Sequence, residues 1–231
     1  MDHIHLIKNR RKQTVFPFTI LFEDDYVLAM VKPPGLPTAN APKGTDSLFT
    51  LVQRYLPAAA FVGVVSRLDA LVSGVVVMAK TKASAAGLSK QFRERSVKKQ
   101  YRAVCAGRFP APLGKWVDWY DEVVRPTDPG KQATSKQQHA HVRCRVIKRA
   151  AEVCLIELNP SSGRRHQLRT QLAHRGCPIV GDRMYGSRLP FSPGIALHSA
   201  LLECKHPHTG QEMCFEDPLP GNWKNHFPAL F

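Results

Sequence analysis

Apolar residues recur along this chain in two rhythms. From Ile20 to Val31 they fall as two short strands on either side of an acidic turn, Glu23-Asp24-Asp25. Val75 to Ala79 is an unbroken apolar run, the pattern of a strand buried on both faces. Strand-like patterning returns at Lys99–Ala106, Val153–Leu158 and Leu197–Cys204. Elsewhere the period lengthens. Leu48 to Leu56 sets Leu48, Leu51, Val52 and Tyr55 on one helical face, and Ala83 to Arg93 does the same with Ala85, Leu88 and Phe92. Gly163 to His174 reads as a turn running into a helix, with Leu168 and Leu172 one turn apart and Gly176 placed to end it. Lys32-Pro33-Pro34-Gly35-Leu36-Pro37 is a loop, because its prolines offer no backbone donor. Residues 108–139, rich in Pro, Gly, Trp and charge, read as an irregular excursion with hairpins. The order of elements predicts an α+β fold: a mixed, mostly antiparallel central sheet flanked by helices and loops.

Composition narrows the class. At 231 residues and 43% hydrophobic, the chain suits one large domain with a real core, so global disorder is excluded. Residues 1–15 carry Lys8, Arg10, Arg11 and Lys12 as a basic arm, and residues 16–231 are expected to form a single domain. Lys and Arg exceed Asp and Glu by 33 to 18, giving +15. That excess suits nucleic acid or an anionic membrane surface, but a merely basic enzyme carries the same number. No apolar run reaches the ~18–20 residues that span a bilayer, and the first residues lack the apolar core of a secretory signal. Six cysteines stand singly, with no Cys-x-x-Cys pair, which suits a reduced, cytoplasmic setting and small core residues. Cys204, His206 and His208 form the nearest thing to a metal set, but their spacing matches no standard zinc pattern, and no metal is expected.

Three stretches concentrate chemistry. Ser66-Arg67-Leu68-Asp69-Ala70-Leu71-Val72-Ser73-Gly74 runs directly into the buried strand, so a sheet would hold this loop rigidly. The same residues also make an ordinary Asx-turn with Arg67 in solvent. Ser162-Gly163-Arg164-Arg165-His166-Gln167-Leu168-Arg169 packs three arginines into six residues, suited to phosphate or carboxylate. A solvated helix face would look similar, yet Leu168 and Leu172 need a core, so some of these arginines lie near the interior and require an anion. In Lys98-Lys99-Gln100-Tyr101-Arg102-Ala103, period 2 puts Tyr101, Ala103 and Cys105 on one face with Lys99 flanking it. A tyrosine there is ordinarily packing.

Taken in order, these stretches resemble the RluA-type pseudouridine synthases, whose pattern is His-Arg-Leu-Asp-x-x-Thr-Ser-Gly, Lys-x-Tyr-x-Ala, and Thr-Gly-Arg-x-His-Gln-Leu-Arg. Lys32-Pro33-Pro34-Gly35, Gly181-Asp182-Arg183-Met184-Tyr185-Gly186, and Leu197-His198-Ser199-Ala200 before His206-Pro207 support the match, which covers residues 18–220. Ser66, Val72, Ser162 and Gln171 depart from the pattern and bear on RNA contacts more than on chemistry.

The resemblance implies the pseudouridine synthase fold and isomerisation of a uridine in structured RNA, ribosomal or transfer, with no redox cofactor. It implies Asp69 as the catalytic carboxylate, Arg169 as its ion-pair partner with Arg164 as second choice, and Tyr101 against the uracil as proton acceptor or donor. It further implies Arg67 either at the space left by a flipped base or on the phosphate, with Lys99, Arg164, His166, Gln167 and Leu168 in RNA or uracil contact. A monomer without the family's S4-like domain is expected. A non-catalytic RNA-binding protein of the same fold is the alternative; it would have little need for Asp69, Tyr101 and Arg169 together.

Overall fold

The computed structural model describes residues 13–14, 17–107, 109–124 and 137–231. Of the basic arm, only Gln13–Thr14 falls within them. In chain order the elements are β1 (Gln13–Thr14), β2 (Thr19–Glu23), β3 (Val27–Lys32), α1 (Leu48–Tyr55), β4 (Gly63–Val64), β5 (Ser73–Ala79), α2 (Lys82–Arg93), β6 (Lys98–Ala106), β7 (Val117–Val124), β8 (Gln137–Arg149), β9 (Val153–Pro160), α3 (Gln167–His174), β10 (Leu197–Lys205), β11 (Glu212–Glu216) and α4 (Asn222–His226). They are grouped in two compact units, residues 1–99 with 199–218, and residues 100–198 with 219–231.

In the first unit the strand order is β1-β2-β3-β5-β10, with β4 beside β5 and β11 beside β10. β5 is buried throughout, as its apolar run requires. Its alternate residues feed two cores. Val75 and Val77 join Leu88 of α2, with Phe215 and Leu21, on one face. Val76 and Met78 join Leu48, Leu51 and Val52 of α1 on the other. Each buried aliphatic side chain contributes about 1.5–3 kcal/mol, so both helices are held chiefly by these faces. Ser47 caps α1, accepting from the Thr50 amide while the Thr50 hydroxyl accepts from the Ser47 amide. Gly74, at φ +115°, is compelled: a Cβ there would lie 2.3 Å from the Ser199 carbonyl oxygen. His206 joins two turns, with Nε2 2.8 Å from Asp24 and Nδ1 accepting from the Thr209 amide at 3.0 Å. Both ring nitrogens of His206 are thus engaged with protein. No cluster of three metal-ligating side chains occurs among the described residues.

In the second unit the order is β6-β9-β8-β7, all antiparallel. The expected excursion with hairpins is, in its described part, one long hairpin of β7 and β8 that is more regular than its composition suggests and runs on to Arg149. Val142, Cys144 and Val146 point inward. The reason the strand was hidden is Asp121, which accepts hydrogen bonds from Gln171 and Arg175 of the α3 region, so a polar residue occupies an inward position of β7. The outward position of Tyr120, 77% exposed, completes the disguise. α3 starts at Gln167 rather than Gly163: residues 163–166 form the turn, and His166 adopts a left-handed φ of +57°. Gly176, at φ +69°, ends the helix as expected.

All six cysteines are free and buried. Burial pushes the thiols up, Cys144 and Cys204 to about 12 and Cys154 to about 11. No described helix is long and apolar enough to cross a membrane.

Candidate active site

The loop that carries Asp69 is tied down from beneath. Lys32, the last residue of β3, is fully buried, and its ammonium donates to the carbonyls of Pro33 (2.7 Å), Leu36 (2.8 Å) and Ala70 (3.1 Å). Three acceptors match the three protons of an ammonium. The Gly35 amide donates to the same Ala70 carbonyl at 2.8 Å. Thr38 closes the other side: its hydroxyl donates to the Leu68 carbonyl at 2.8 Å and accepts from the Leu68 amide at 3.0 Å. The Val72 amide then donates to the Asp69 carbonyl at 3.0 Å, making the turn into β5. Asp69 is therefore half-buried on a backbone pinned on both sides, while Arg67 is exposed.

Lys32 was visible in the sequence only as part of a Pro-rich loop; the signal missed was a charged residue at the end of an apolar strand. Burial lowers its pKa to about 7, opposed by the nearby Asp69 carboxylate. The linkage has a definite sign. The unfolded chain holds this proton up to about 10.5 and the folded chain only to about 7, so this group makes stability rise with pH across that window. Lys32→Met should remove that rise and strand the three carbonyls, lowering the melting temperature at neutral pH. Denaturation of both proteins at several pH values checks this; identical pH slopes would refute it.

In the second unit Tyr101 pairs with Leu158 on β6 and is half-buried. Arg169, in the first turn of α3, is deeply buried and is bonded to Asp182, a residue not singled out for the site. Nε lies 2.6 Å and Nη2 2.8 Å from the two oxygens of Asp182, with 3% and 1% of the side chains exposed. The Tyr185 ring lies 4.9 Å from the same guanidinium, and its hydroxyl is 2.9 Å from His166 Nδ1. Arg164 and Arg165 are exposed. Gln167 and Leu168 are buried. The Gln167 amide is engaged locally: Oε1 accepts from Ser162 Oγ at 2.8 Å, and Nε2 donates to the His141 carbonyl at 3.2 Å. Gln167 thus braces the turn in which Arg164 and His166 sit. Lys99, in the first unit, has its pKa lowered to about 8 by burial and by the charge of Arg95.

The model of the RNA pseudouridylate synthase family matches residues 26–174, more than half of the chain. The chain belongs to that family. Within it, the synthase is of the RluA type. It is 38% identical over 207 residues to the dual-specificity RNA pseudouridine synthase RluA of Escherichia coli K12, covering 86% of this chain and 92% of that protein. It is 32% identical to the ribosomal large subunit pseudouridine synthase C of Yersinia pestis, covering 91% and 68%. Among solved structures it is similar to human RNA Pseudouridylate Synthase Domain Containing 4, with TM-score 0.72, 26% identity, and coverage of 91% and 92%. The synthase is therefore an isomerase acting on uridine in RNA, and its α+β fold is that of the family.

Proposed function

We propose that Asp69 is the catalytic carboxylate and that Arg169 and Tyr101 serve it in one site. The single observation that carries this reading is the pinned Asp69 loop in a chain of this family: Lys32, Gly35 and Thr38 fix the backbone so that one half-buried carboxylate is presented in a set position. Asp69 attacks C1′ of the ribose as nucleophile, or stabilises positive charge there while a ribose proton leaves. The N1–C1′ bond breaks, the uracil turns, and C5 bonds to C1′. Arg169 serves as the ion-pair partner of Asp69. Tyr101 lies on the uracil face and moves the proton from C5. A uridine inside a stem is out of reach, so the base is flipped, and Arg67 occupies the vacated space or holds the phosphate.

The catalytic part is a single domain over residues 16–231 that acts as a monomer, needs no diffusible cofactor and works in the cytoplasm. Its substrate is structured ribosomal or transfer RNA, in keeping with the names of its relatives. Purified protein mixed with total RNA from a strain deleted for its gene should restore pseudouridine at specific positions. Failure to convert any position would overturn the reading.

The +15 charge should engage several phosphates, so RNA affinity should fall by orders of magnitude between low and moderate salt. Filter binding across a salt series measures this. A flat profile would show that the basic residues are not the RNA surface.

A further inference from the structure

We propose that Asp182 is a positioning residue of the synthase: it fixes the plane and place of the Arg169 guanidinium, on which turnover depends. The inference rests on the proposed catalytic role of Arg169.

The geometry is that of a clamp. Two parallel bonds, 2.6 and 2.8 Å, fix the plane of the guanidinium as well as its place. Asp182 is itself fixed. Its amide donates to the Ile179 carbonyl at 3.0 Å, and its carbonyl accepts from the amides of Tyr185 (3.1 Å) and Ser187 (3.0 Å). Gly181, at φ +88°, lets this turn pack closely, since a Cβ there would lie 2.9 Å from that of Phe191. Tyr185 supports the guanidinium with its ring and bonds His166, the residue before α3. The turn at 182–186 therefore holds the start of α3 at two points, Arg169 and His166.

Asp182→Asn keeps the shape and removes the charge. kcat at neutral pH should fall roughly tenfold to a hundredfold as the two-point hold is lost, with KM for RNA little changed. Tyr185→Leu keeps the Asp182 charge but removes the second point of the hold and should also lower kcat; an unchanged kcat in this variant would count against the proposal. Separately, ¹⁵N NMR should show the Arg169 Nε–H as a slowly exchanging signal in the wild type that is lost in Asp182→Asn. A signal unaltered by the substitution would overturn the clamp. A lost signal with kcat unchanged would overturn the positioning role. Full activity in Asp69→Asn would instead overturn the site on which the inference rests.

Discussion

An Asp69→Asn synthase should fold, bind RNA and make no pseudouridine. Folding survives because the bonds that shape the loop use its backbone, not the Asp69 carboxylate: Ala70 and Leu68 accept from Lys32 and Thr38, and Val72 donates to the Asp69 carbonyl. The cost is the loss of an anion near buried Lys32 and, in the proposed site, near Arg169, about 1–3 kcal/mol. RNA binding survives because phosphate contacts dominate affinity. Turnover is lost because an amide is a poor nucleophile and places no negative charge beside a developing cation at C1′. The measurement is pseudouridine formed per enzyme in an RNA transcript, alongside a thermal melt and a binding curve. Conversion near the wild-type rate by a folded Asp69→Asn protein would remove Asp69 from the mechanism and leave the family assignment intact.

Arg169→Leu should fail differently, in stability first. The substitution removes the charged partner of Asp182, whose side chain is 1% exposed. An uncompensated buried carboxylate costs about 3–5 kcal/mol. In a chain of this size that lowers the melting temperature by roughly 6–20 °C. Activity falls as well, because Asp69 loses its proposed partner. The double variant Arg169→Leu/Asp182→Leu should regain part of the melting temperature, since two apolar side chains replace a stranded charge, yet remain inactive. A single variant that melts with the wild type would show that Asp182 does not depend on Arg169.

The strands that were legible in the sequence are those whose side chains answer only to a core. Val75–Ala79 is such a run, and it sits inside β5. β7 was not legible because its inward Asp121 is satisfied by Gln171 and Arg175, some fifty residues further along the chain, and no local pattern carries that information. β11 and α4, five residues each, are too short to show a period. The site divides similarly. Asp69, Tyr101 and Arg169 are proposed for it from ordered motifs. Lys32 and Asp182 stood in those motifs without a role, because a lysine before two prolines reads as a solvated charge and a partner thirteen residues away is invisible until the turn is folded. Burial gave both their meaning.

The cysteines have a practical consequence. All six are enclosed, and the raised thiol pKa values of those in the strands leave little thiolate at neutral pH. Maleimide and similar reagents should therefore find almost nothing to attack on the native fold. One cysteine introduced at an exposed position, such as Thr209 in the turn before β11, becomes the single fast-reacting thiol without deletion of any native one. Fluorophores or spin labels placed in this way would report on RNA docking in an otherwise unaltered protein.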